Sequence, residues 1–236
     1  MNEFSMFSSA IRIAFEKMLA GKYWFYLLPG LLLSLLFWET NVHYYDFEDF
    51  SKEYFENEGF WDKIGRFFTY VSRAIYLFIA LTVLSPVYCL LSEKVDADLT
   101  GQHFDFSWYT LIRDTLRAFF SIILVYFIIF FIKGAWFLIA LIFGINDINK
   151  FIYLALDTIL FGFALFDYSM ERYKINVFSS FSFVFQNKLS CLFLGIIFSV
   201  LLLIPYVGAF FSPFFTTIIG TIVYLYKTNK ITTLET

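Results

Sequence analysis

Charge is what this sequence has least of. Only 16% of its 236 residues are Asp, Glu, Lys or Arg, whereas a soluble domain of this length carries about 25%. Cysteine and histidine are scarcer still, at two each. Cys89 and Cys191 stand far apart in apolar sequence. That spacing excludes a disulfide framework and a metal motif and makes them reduced thiols packed as small hydrophobes. No Ser/His/Asp set, His-rich ligand motif or Gly-rich phosphate loop is found, so neither an enzyme nor a cofactor or resident metal is expected. A net charge of −3 without a basic cluster excludes nucleic acid as a partner.

Apolar residues are abundant: 60% hydrophobic and 24% aromatic. Several runs approach the ~20 residues that span a bilayer, so the main solvent is lipid. The N-terminus does not read as a cleavable signal peptide, because Glu3, Arg12, Glu16 and Lys17 interrupt any short apolar core. The reading is an all-α integral membrane protein in one domain, 1–236. It has two long transmembrane helices, two helical hairpins that penetrate partway, and short amphipathic in-plane helices.

Residues 1–20 place Phe4, Phe7, Ile11, Phe15 and Met18 at helical spacing. They predict an in-plane helix, or one packed on the protein's own face. The first spanning helix is 22–39, with Trp24 and Trp38 at its ends and Pro29-Gly30 as a kink. An acidic excursion, 40–65, follows as an extracytoplasmic loop. The second spanning helix, 66–94, has Arg73 near its outer end and Pro86 within it. It emerges at Glu93, Lys94, Asp96 and Asp98, and Gly101 is a stop signal. Basic residues from Arg12, Lys17 and Lys22 through Arg113, Arg117 and Arg172 to Lys227 and Lys230 gather on the other side from the acidic loop. The positive-inside bias puts both termini in the cytoplasm. His43 and His103 then lie on opposite sides and form no common site.

Trp108 to Arg117 is amphipathic and feeds the first hairpin, 118–166. Its leading run, Ala118 to Phe143, is broken by Lys133-Gly134, and FGINDINK (143–150) is the turn. Lys133 within a membrane segment is a functional candidate, with Asp157 on the facing arm as its natural counter-ion. The alternative is that Gly134 breaks the arm and Lys133 snorkels to an interface. Asp167, Glu171, Arg172 and Lys174 read as a solvated salt-bridge network at a helix exit, and part of 167–190 reads as an in-plane helix. The second hairpin, 191–226, has a bend at IPYVG (204–208). Its first arm, about 20 Å long, falls short of a ~30 Å hydrocarbon core.

Three passages carry a family resemblance. They are SPVYCLLSEKVDADLTG (85–101), FDYSMERYKINVF (166–178) and LGIIFSVLLLIPYVGAFFSPF (194–214), with GKYWFYLLPG (21–30) as a fourth, weaker one. The first matches a Pro, Leu-Leu-x-Glu, Leu-Thr-Gly pattern, the second an Asp-Tyr signature, the third an Ile-Pro bend with a later Pro. The chain resembles the CysZ-type sulfate permeases of bacterial inner membranes, the etoposide-induced-protein-like family. The resemblance implies the same two-plus-two helix arrangement, a symmetric homo-oligomer in the lipid bilayer of the inner membrane, and movement of sulfate into the cell for cysteine synthesis.

It also implies an anion-binding place at Gly21, Lys22, Tyr23 and Trp24, where such transporters read Gly-Leu-Arg, often with a second Arg. A helix N-terminus and guanidinium donors there suit a tetrahedral oxyanion. This chain keeps Gly21 but carries aromatic residues at both guanidinium positions, and Lys22 stands one residue early, about 100° away around a helix. Lys22 reads either as a point charge for the anion or as a basic anchor at the inner face. The first hairpin's leading arm is about ten residues longer than the family's. The functional expectation is an anion permease for sulfate. The alternatives are a non-transporting membrane structural or interaction protein of the same fold, or a permease for another small solute.

Overall fold

The computed structural model describes residues 2–32, 83–102, 108–145, 148–204 and 207–232. The excursion at 40–65, the ends marked by Trp38 and Arg73, both histidines and the Pro205 bend lie outside the described residues, as do 33–39 of the first long spanning segment and 66–82 of the second. All regular structure among the described residues is helical. This is a multi-pass membrane protein. Phe119–Phe143, Phe151–Arg172 and Gly208–Lys227 are each long and apolar enough to cross a membrane, and a fourth apolar stretch is a bent helix pair.

Helix α1, Glu3–Leu19, starts where the Asn2 side chain accepts the Ser5 N–H at 2.8 Å. It packs on the carboxy-terminal helix through Met6, Phe7, Ala10, Ile13 and Ala14. The small Ala10 and Ala14 let the two backbones approach, while Phe7 stacks on Phe193 with ring centroids 5.6 Å apart. The packed face therefore centres on the alanines. Phe4 and Phe15 of the phenylalanine-rich stripe, and Leu19 beside it, stay exposed, where they can face lipid headgroups and chains. After Gly21, at φ +77°, a 3-10 turn, Trp24–Leu27, leads into helical residues 28–32 (α2). Helix α3 is described over 83–100 and stops at Gly101, whose φ of +72° suits glycine.

Helix α4, Trp108–Phe143, is one unbroken helix of 36 residues, about 54 Å long. The expected break at Lys133-Gly134 does not occur. In lipid every backbone group needs an intrahelical partner, so a single glycine is held in the ladder. Phe120, Leu124, Phe127, Phe131, Leu138 and Ile142 are exposed along it, as a lipid-solvated surface requires. Gly144 turns the chain into α5, Asn149–Arg172, which runs past Phe166 to the end of the charged stretch.

Helix α6, Val177–Gln186, is capped by Asn176. It bends by 92° into α7, Lys188–Leu202. At 15 residues α7 is about 22 Å long, short of the ~30 Å hydrocarbon core. Helix α8, Gly208–Lys227, follows and holds Pro213 inside it. From Ser212 to Leu225 every residue of α8 is buried, so α8 is the bundle's central helix, surrounded by α1, α5 and α7.

Candidate functional site

A cluster of polar and charged side chains gathers at one end of the bundle, where α1, α3, the last turns of α5 and the end of α8 meet. Gly21, Lys22 and Tyr23 stand at its edge. Lys22 Nζ lies 3.7 Å from Asp98 Oδ2, and Lys94 Nζ lies 3.6 Å from Asp98 Oδ1. The buried Tyr23 hydroxyl donates to Asp98 Oδ2 at 2.9 Å. Burial alone pushes the Asp98 carboxyl up. The tyrosine hydrogen bond and the ammoniums of Lys22, Lys94 and Lys17 outweigh that and hold it below the usual carboxylate range. Lys22 and Tyr23 therefore converge on a carboxylate of the chain itself. Trp24 turns away and donates its indole N–H to the Met18 carbonyl at 2.7 Å.

Lys133 and Asp157 are brought together at membrane depth. Lys133 Nζ lies 2.6 Å from Asp157 Oδ1 with Lys133 only 3% exposed, and the ammonium sits 5.7 Å from the centroid of the Tyr153 ring. Two facing helices thus share one neutralised charge pair, the arrangement in which hydrocarbon tolerates ions.

The charges at the end of α5 do not form a solvated network. Asp167 and Glu171 are buried, and the Arg172 side chain is nearly so; only Lys174, at φ 55°, is exposed. The reason is the extra length of α5. By remaining helical to Arg172 it carries these residues between α3, α4, α6 and α8 instead of out into water. Arg172 pairs with Asp96 of α3 at 2.8 Å and donates to Ser92 at 3.0 Å. Asp96 also accepts from Tyr173 and, at 2.8 Å, from Thr100. Ser92, Ser169 and Thr221 form a triangle of hydroxyls 2.8–3.2 Å apart, which ties α3, α5 and α8. Cys89 donates its thiol to Glu171 at 2.7 Å.

One turn back along α5, Arg117 of α4 pairs with Asp167 at 3.2 Å and donates to Ser180 of α6 at 2.9 Å. Glu3 pairs with Lys227 and accepts from Ser190 at 2.7 Å, which clamps α1 to α7 and α8. Burial raises the Glu3 carboxyl, but Lys227 and Ser190 together bring it below its ordinary value.

Asp96, Asp98, Arg117 and Arg172 were the residues sequence reasoning did not assign to a site. The spacing of four between Lys94 and Asp98 marks a helix-surface pair. The ion-pair partners of Asp96 and Arg117 lie 50 or more residues away, beyond any local pattern. Among the described residues no group of three or more His, Cys, Asp or Glu is placed to hold a metal ion, and both cysteines are free.

A protein-family model described as sulfate transporter CysZ/etoposide-induced protein 2.4 matches residues 7–213. Comparison with curated proteins returns no match.

Proposed function

The chain belongs to the sulfate transporter CysZ/etoposide-induced protein 2.4 family, and from that premise we propose that it is an anion permease of the inner membrane that takes up sulfate. It acts as one membrane domain with both termini in the cytoplasm, its in-plane α1 and the 40–65 excursion on opposite sides, and assembles as a homo-oligomer. The observation that supports this reading most is the set of cations held inside the helical bundle, Lys133, Arg117 and Arg172. Ionisable groups within membrane segments are costly, and ion pathways are where they are retained.

A second reading is a non-transporting structural or interaction protein of the same fold. Tyr23 and Trp24 favour it, since they occupy the positions where the family resemblance implies arginine. So does Asp98, which already engages Lys22 and Tyr23. Sulfate flux into liposomes holding the purified protein, beside a Lys22→Ala variant, separates the readings. Flux above protein-free liposomes and lost in the variant places the anion at Lys22. Flux kept in the variant retains the permease and discards that residue. No flux from folded protein leaves the structural reading or another small solute.

A further inference from the structure

The pair of Arg117 and Asp167 is buried but incomplete. The guanidinium spends only Nη2, on Asp167 Oδ1 and Ser180 Oγ. Its Nε and Nη1 are buried and make no hydrogen bond among the described residues, so three of its five N–H donors are open. Two further polar atoms in the same place are unsatisfied. Asp167 Oδ2 and the Ser121 hydroxyl close no hydrogen bond of normal length, although Ser121 and Ser180 both stand beside Asp167. Asp167 and Ser121 are both fully buried. Arg117 and Ser121 are four residues apart and share a face of α4.

A niche in which several buried polar atoms from neighbouring helices lack partners is made for an occupant, because each such atom left bare is costly. Its chemistry selects what fits. A cation with three free donors and a nearby hydroxyl suits an acceptor-rich oxyanion, and guanidinium is the group that binds such ions through several charge-assisted hydrogen bonds. The Arg117 side chain is 17% exposed although its open donors are buried, so the group is within reach of the surface. It lies two residues before the apolar span that starts at Phe119, at the membrane boundary where a permeating ion sheds water.

We infer that Arg117, with Ser121, Asp167 and Ser180 around it, is a binding site for a tetrahedral oxyanion such as sulfate, with Asp167 holding the guanidinium in the anion's absence. Asp167 is then a resident competitor, displaced from Arg117 as the ion enters. The site supplies the guanidinium that residues 23 and 24 lack. It rests on the permease reading for its biological use, but binding is measurable without flux.

The test is thermal unfolding of the purified full chain titrated with sodium sulfate, or with sodium phosphate as a second oxyanion, against sodium chloride of matched ionic strength. Wild type should show a saturable rise in midpoint with sulfate. Arg117→Gln should abolish it, and Ser121→Ala should weaken apparent affinity about tenfold. Asp167→Asn should lower the midpoint without anion yet bind sulfate severalfold more tightly, because the competitor is gone. A merely structural ion pair gives the destabilisation without the tightening.

No saturable effect of either oxyanion on wild type means that the niche holds only water and overturns the site. So does undiminished binding in a folded Arg117→Gln protein. Should that variant not fold, unchanged affinity in both Ser121→Ala and Asp167→Asn overturns it equally. Saturable binding lost in Arg117→Gln, together with no flux from wild type, keeps the site and sinks only the permease reading.

Discussion

Gly162 of α5 lies against the backbone carbonyl of Cys191 on α7, so closely that a Cβ at residue 162 would stand 2.1 Å from that oxygen. The contact is reciprocal. A Cβ at Gly195 of α7 would stand 1.9 Å from the Thr158 carbonyl on α5. Neither obstacle is a side chain that can swing aside. Gly162→Ala or Gly195→Ala must push the helices apart, and each should lower stability by about 1–3 kcal/mol, the usual cost of overpacking. Gly134→Ala is the control, since nothing lies within 4 Å of a Cβ there. It should be neutral or stabilising by up to about 1 kcal/mol. Unfolding midpoints of the purified variants read all three. A Gly162→Ala protein as stable as wild type would mean that α5 and α7 do not cross this closely.

The Asp98 cluster gives a second prediction. Tyr23→Phe removes the hydroxyl that donates to Asp98 and leaves Lys22 and Lys94 to hold the carboxylate from exposed positions. The loss of one hydrogen bond to a charged acceptor costs about 1.5–3 kcal/mol. The same variant should not reduce sulfate flux if the anion binds at Arg117, but should alter it if Gly21 and Lys22 hold the anion. Stability and flux measured on one preparation distinguish these.

The sequence made some of this arrangement legible and hid the rest, for physical reasons. A charge in a long apolar run has few ways to be neutralised. Lys133 therefore pointed to Asp157 on the facing arm, and the two are in contact. Gly101 marked the end of α3 because few other residues adopt its φ. The opposite error came at Asp167, Glu171 and Arg172. In a polar stretch charges look solvated, and nothing local shows that α5 continues and carries them inward. Their partners Arg117, Cys89 and Asp96 come from helices far away in sequence. Likewise the charges of Lys22 and Lys94 were visible, but not that both turn toward Asp98. The sequence puts the step from the in-plane helix to the second hairpin at 190–191, and it falls at Asn187, since side-chain periodicity does not register a 92° change of axis.

Acid should release α1. The Glu3 carboxyl is held below its ordinary value in the folded chain, burial raising it less than Lys227 and Ser190 lower it. A depressed carboxylate contributes stability that is present above its unfolded pKa of about 4.3 and is lost as pH falls through the folded value. Amide hydrogen exchange in residues 3–19 should therefore quicken, relative to α8, as pH drops below about 4, after correction for the intrinsic pH dependence of exchange. Glu3→Gln should be loose at every pH and show no such step. A step that persists in Glu3→Gln would assign the acid sensitivity to another group, with Asp98 the next to test.

The pair of Lys133 and Asp157 yields the sharpest energetic prediction, because it is held between two apolar membrane helices. Removing one partner leaves the other as an uncompensated charge between α4 and α5. Lys133→Met or Asp157→Leu should each cost about 3–5 kcal/mol. Removing both leaves apolar side chains of similar volume where the ions were, so the double variant should recover most of that loss or exceed wild type. The coupling from the double-mutant cycle should accordingly be large and should not vanish at high salt, since buried pairs are little screened. Exchanging the residues, Lys133→Asp with Asp157→Lys, tests geometry as well as charge. The exchanged pair should rescue much of what either single reversal loses. Flux then separates structure from transport. A double apolar variant that is stable and still moves sulfate makes the pair a tether between the arms of the first hairpin. One that is stable but inactive makes it part of the ion's path.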